Sequence, residues 1–169
     1  MRKLQYITML LISTSAFADT RAIKTFKYVP NLAQGSKLYN ENCAVCHGTK
    51  GFSNTSAAQT LKKKPALIGD PAVLSNLSPL KVYDFITQGS EQGMPSYKHL
   101  TVTERWDLAA FVFTLNSDFQ RPRGNVRASL NWEQTKQRTN SQILEILRKR
   151  GVPDLYIQKE LSVIRYALE

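Results

Sequence analysis

The chain has 169 residues with ordinary apolar content and a formal charge of +10. That length gives one domain, or one small domain with an appendage, and the composition excludes wholesale disorder. A basic balance favours acidic protein partners or an anionic surface. Nucleic acid is the other general partner of basic chains, but no dense Lys/Arg cluster supports it. Lys62-Lys63-Lys64 is the tightest basic run before the C-terminal region and reads as a solvated loop.

Residues 1–18 read as an export signal. Arg2 and Lys3 make a positive start, an apolar run follows from Tyr6 to Ile12, and Ala16-Phe17-Ala18 supplies a small–x–small cleavage pattern. The apolar run is short of the ~20 residues a membrane span requires. No later segment is apolar and long enough to cross, so no integral membrane segment is expected after cleavage. Cleavage after Ala18 removes two bases and no acid, leaving +8. Residues 19–34 read as an extended lead-in.

A first helix is expected from Gly35 to Cys46. Gly35, Tyr39 and Cys43 stand at i, i+4 and i+8, hence on one face. A glycine there lets another helix approach closely. The chain's two cysteines fall in Cys43-Ala44-Val45-Cys46-His47. A disulfide, a thioredoxin-type dithiol and half a zinc site all fit a bare C-x-x-C pair. Zinc requires about four ligands, and the chain has two Cys and two His in all. The following histidine decides the matter, because C-x-x-C-H is the attachment sequence of c-type haem. Two thiols at this spacing reach two vinyl groups of one porphyrin, and His47 is then held under the iron. One covalent haem c is expected.

A polar, glycine-rich loop covers 48–60. Pro65-Ala66-Leu67 follows. A metal-bound histidine usually donates its second ring N–H to a carbonyl; Pro65 is the expected acceptor, with Leu67 packing on the ring edge. Beside this stands the plain reading of a loop proline. After a turn at Gly69-Asp70-Pro71, short helices are expected over 71–76 and 78–87, the second capped by Ser78 with Pro79 in its first turn.

A loop spans 89–100 and holds Gln92-Gly93-Met94-Pro95. Met94 is the one methionine outside the signal, and it is the expected sixth iron ligand, since His/Met ligation is a standard low-spin arrangement. His99 is the competing ligand and would give a bis-His haem. The next helix is the best marked. Thr101 and Glu104 form a capping box, and Trp106, Leu108, Ala109, Phe111, Val112 and Leu115 make it apolar over much of its surface. Leu108 and Phe111 are expected to cross the Gly35/Tyr39 face.

These residues resemble the class I cytochrome c family over about 33–116. Gly35 and Tyr39 match its first helix; Cys43, Cys46 and His47 its haem motif; Pro65 and Leu67 its Pro-x-Leu; Met94 its axial methionine; Leu108 and Phe111 its last helix. The resemblance implies an all-α, cytochrome c-like helical fold around one haem with an exposed edge, and electron transfer by transient docking; the basic charge makes redox partner proteins with acidic docking surfaces the expected ones. A narrower resemblance, carried by Tyr83-Asp84-Phe85-Ile86-Thr87, Gly93-Met94-Pro95 and Glu104-Arg105-Trp106, is to cytochrome modules fused to bacterial iron permeases. It implies electron uptake linked to iron.

Residues 117–169 go beyond that domain. A linker over 118–124 leads to two amphipathic helices, 141–150 and one from Pro153 onward, joined by Gly151-Val152-Pro153 as a helical hairpin. Ile143, Leu144 and Leu147 form one apolar stripe; Leu155, Leu161, Ile164 and Leu168 form the other. The cover for these stripes is this domain, a second copy or a partner, and the first needs no second molecule.

The sequence therefore reads as a periplasmic electron carrier with one haem c. It is not an enzyme in its own right, though it could serve as a subunit of an oxidoreductase. The alternative is a haem enzyme or sensor whose sixth position is open.

Overall fold

In a computed structural model of the chain, the described residues are 28–123 and 127–167. The signal, residues 19–27 of the lead-in and Leu168 lie outside them. Among the described residues all regular structure is helical: α1 Leu32–Asn42, α2 Ala44–His47, α3 Ser56–Thr60, α4 Pro71–Ser75, α5 Pro79–Gln88, α6 Val102–Thr114, α7 Trp132–Thr135, α8 Asn140–Lys149 and α9 Asp154–Tyr166. None is long and apolar enough to cross a membrane.

The first helix starts earlier than its sequence suggests and breaks sooner. Asn31 caps it, its side chain accepting from the amides of Ala33 and Gln34. The Asn31 amide in turn donates to Asp107 Oδ1 at 2.7 Å, and the Tyr28 hydroxyl donates to the same oxygen at 3.1 Å. Asp107 is buried on α6, so a carboxylate from the far helix fixes where α1 begins. Burial raises the Asp107 pKa while the two donors oppose that rise. At the other end Cys43 leaves helical phase and begins the single turn α2.

Helices α1 and α6 cross at Gly35. A Cβ built there would lie 2.2 Å from the Asp107 carbonyl oxygen and 2.8 Å from Phe111 Cβ. Tyr39 and Phe111 fill the crossing, ring centroids 5.4 Å apart. Leu108 is fully buried in the same core. On the other flank of α6, Tyr83 of α5 stacks on Trp106 at 4.5 Å. Helix α6 is thus covered on several sides, which explains its nearly continuous apolar sequence.

The Thr101/Glu104 capping box is present in both directions. Thr101→Ala removes the side-chain acceptor for the Glu104 amide, and a loss of about 1 kcal/mol of stability is expected, read from a lower urea unfolding midpoint at constant slope. An unchanged midpoint would show that the box is decorative.

The C-terminal region packs on its own domain. Trp132 of α7 enters the main core and meets Trp106 edge-on at 5.6 Å. The Leu80 amide donates to the Lys136 carbonyl at 2.8 Å. On α9, the fully buried Arg165 lies 4.4 Å over the Phe113 ring. Arg165 donates to Asn140 Oδ1 and to the Thr135 and Arg138 carbonyls. Burial pulls its pKa down. The Tyr166 hydroxyl reaches the Thr114 carbonyl at 3.1 Å. A second core forms behind from Phe119, Leu130, Ile143, Leu147, Ile157, Leu161 and Ile164.

The hairpin stripes need one correction. Leu155 is 83% exposed, and Ile157 takes its place in the core. The residues that α9 contributes to the second core run 157, 161, 164. Leu155 is two positions off that phase, about 200° round the helix. Leu144 is only half-buried. Two short helices also add to the expected set: α3 lies inside the loop 48–60, capped by Thr55, and α7 lies inside the region assigned as linker and extension.

Candidate functional site: the Cys-x-x-Cys-His turn

Helix α2 holds the motif on one turn. Cys43 and Cys46 are both unpaired thiols. Cys43 packs against the core, and burial, then the neighbouring Cys46, pushes its thiol up to about 11. The turn ends because Gly48 has φ 74° and its amide closes back on the Ala44 carbonyl. Above it, the Tyr39 hydroxyl donates to the Gly48 carbonyl at 2.7 Å. Tyr39 therefore serves both the helix crossing and the end of the haem-motif turn.

His47 is half-buried, and its Nδ1 lies 3.2 Å from the carbonyl oxygen of Ala66. This corrects the sequence expectation, which named Pro65. The Pro65 carbonyl instead accepts from the Ser53 hydroxyl at 3.2 Å, and the same hydroxyl sits 3.3 Å from the Ala66 carbonyl. Ser53 lies between the histidine's backbone and these two carbonyls. It adopts φ 52°, its amide donates to the His47 carbonyl at 2.7 Å, and its side chain turns onto loop 61–70. Ser53 thereby ties the histidine's backbone to the carbonyl facing its ring. Burial lowers the His47 pKa, and the Ala66 contact opposes that effect. An Nδ1–H donating to a carbonyl leaves the Nε2 lone pair as the one available to a metal. Leu67 is exposed, as are Phe52 and Leu61. Large apolar side chains left uncovered on the loops that follow the motif are what a flat apolar group would cover.

Met94 is half-buried and packs against the main core, whereas His99 is exposed, its ring 5.7 Å from that of Tyr97. The loop around Met94 is closed tightly. The Ser90 amide donates to the Met94 carbonyl at 2.9 Å, and the Met94 amide donates to Ser90 Oγ at 3.2 Å. Gly89, at φ 74°, faces that carbonyl so closely that a Cβ would lie 2.5 Å from it. The Tyr97 hydroxyl donates to the Asn42 carbonyl at 2.9 Å, joining this loop to the residue before Cys43.

The donor set fits a covalent haem: two free thiols on one turn, an imidazole oriented through its second nitrogen, and a thioether on a closed loop. It does not fit a polydentate metal site. Among the described residues no group of three or more His, Cys, Asp or Glu could hold a metal ion. Sequence reasoning missed Ser53, Ala66, Tyr97 and Asn42. Ala66 and Asn42 act through backbone carbonyls, which carry no residue-type signal.

Residues 30–112 match the family model described as cytochrome C oxidase, cbb3-type, subunit III. Among solved structures, the Kuenenia stuttgartiensis reducing HAO-like protein complex Kustc0457/Kustc0458 has a chain that aligns at TM-score 0.44 with 20% identity, over 57% of this chain and 49% of that one. This protein thus spans about half of that chain's length. No curated protein matches. The motif, the all-helical fold and the family match agree: residues 30–112 are a domain of the c-type cytochrome family.

Proposed function

We propose that the protein is an exported electron carrier, with one haem c attached through Cys43 and Cys46 and ligated by His47 and Met94. The observation that carries this reading is the His47 ring itself, held by the Ala66 carbonyl on the turn that bears both thiols. The family match supports haem-based electron transfer as the general role.

When bound, haem supplies a one-electron Fe(II)/Fe(III) couple. The chain does the rest. Cys43 and Cys46 would fix the group to one turn as thioethers. The Ala66 carbonyl fixes the His47 tautomer and raises its basicity as a ligand. The closed Ser90–Met94 loop presents a neutral thioether, which favours the reduced state and a high potential. Pro65 and Leu67 border the His47 side, Pro65 by orienting Ser53 and Leu67 as apolar cover. A transient redox partner with an acidic docking surface suits the basic chain. The periplasm suits the signal-like N-terminus.

The test is acid–acetone extraction after co-expression with haem-attachment machinery. Wild-type protein should retain its haem, and Cys43→Ala with Cys46→Ala should release it. Haem that washes out of the wild type would sink the proposal at its root.

A further inference from the structure

We propose that Tyr97 is a positioning residue: its hydroxyl, hydrogen-bonded to the Asn42 carbonyl, latches the Met94 loop onto the haem-attachment segment. The inference rests on the His47/Met94 reading above and adds what holds the second ligand in place.

Three observations converge. First, the internal closure of the loop and its placement are separate matters. The Ser90–Met94 pair and Gly89 shape the loop locally, but they join it only to itself and to the end of α5. Second, Tyr97 carries the link outward in both directions. Its amide donates to the Ile86 carbonyl at 2.9 Å, and its hydroxyl crosses 55 positions of sequence to Asn42. Asn42 immediately precedes Cys43. One side chain thus spans the segment that would carry the thioether ligand and the segment that fixes the porphyrin. Third, the rest of the loop is open: Gln92, Gly93, Pro95, Ser96, Lys98 and His99 are exposed, while Met94 and Tyr97 are half-buried against the core.

A flexible thioether competes for iron with any external ligand. The external ligand binds only when the loop opens, so its apparent affinity is scaled by the open fraction. Deleting one neutral hydrogen bond that favours the closed loop should raise that fraction roughly three- to tenfold.

The experiment is imidazole titration of the ferric holoprotein, with Tyr97→Phe against wild type. The phenylalanine keeps the ring and removes only the latch. Tyr97→Phe should keep the far-red Met–ferric band without imidazole and bind imidazole roughly three- to tenfold more tightly. An unchanged imidazole affinity overturns the latch, even if the variant melts earlier, because that would be a structural effect alone. Met94→Ala is measured alongside. If wild type lacks the far-red band and Met94→Ala binds imidazole no more tightly than wild type, then Met94 ligation has failed and the latch with it. If Met94→Ala loses the band while Tyr97→Phe matches wild type, ligation stands and only the latch is lost.

Discussion

Gly35→Ala is expected to be strongly destabilising for a change of a single methyl group. The added Cβ would sit 2.2 Å from the Asp107 carbonyl oxygen, a backbone atom that has no rotamer with which to move aside. Helices α1 and α6 must then separate, and the separation propagates. The Asn31 amide loses registry with Asp107, and the Tyr39–Phe111 contact opens. Overpacking of this kind costs about 1–3 kcal/mol, and a rigid backbone partner puts this site at the upper end or beyond. Better helix propensity returns at most ~1 kcal/mol. A net loss of about 2 kcal/mol or more is expected, read as a fall in the urea midpoint at constant slope. Because α1 runs straight into the attachment turn, haem loading should fall as well. A variant that unfolds at the wild-type midpoint would mean that the crossing relaxes freely, which this geometry does not allow.

The second large effect is at Met94. Met94→Ala should leave haem covalently attached, since the thiols are untouched, while abolishing the far-red band and lowering the potential. The drop should be a sizeable part of the roughly 0.8 V that axial ligation spans in haem proteins. Potentiometry with an optical readout measures both. His99 gives the informative competing result. If it moves in, Met94→Ala stays low-spin and Met94→Ala/His99→Ala does not. If the single variant keeps the wild-type potential, Met94 is a core-packed loop residue and the reading of an open or labile sixth position gains the ground.

Much of this was legible in the sequence, and the reasons are physical. The Thr101–Glu104 box is a local rule, satisfied within four residues, so it could be read without the fold. The helix crossing was legible because a glycine inside a helix costs stability, and close approach by a second helix is what offsets that cost. The Cys-x-x-Cys-His turn was legible as a motif because the haem attachment proposed for it demands fixed spacing. What escaped depends on contacts distant in sequence. The α1 cap at Asn31 answers to Asp107, 76 positions away. The carbonyl facing His47 is that of Ala66, one residue beyond Pro65, on a loop that Ser53 contacts from 12 positions away. Leu155 was assigned to the stripe on hydrophobicity, yet helical phase puts it outside. The cover of the C-terminal hairpin could not be chosen from sequence, since a self-packed and a partner-packed stripe have the same pattern.

That cover changes what counts as a module. The family match ends at residue 112, but Trp106 is capped by Trp132 and Phe113 by Arg165. A chain cut back to the end of α6 would expose the outer flank of that helix to water, along with the Trp106 and Phe113 rings and the Thr114 carbonyl that now have partners. The opposite operation should be far gentler. Arg123 and Arg127 are exposed on either side of the bridge between the two regions. A single peptide-bond scission after Arg123 removes none of the contacts made by Trp132, Arg165 or Tyr166. The two pieces should therefore remain a non-covalent pair, and the extension behaves as a missing wall of the haem domain rather than as cargo hung from it.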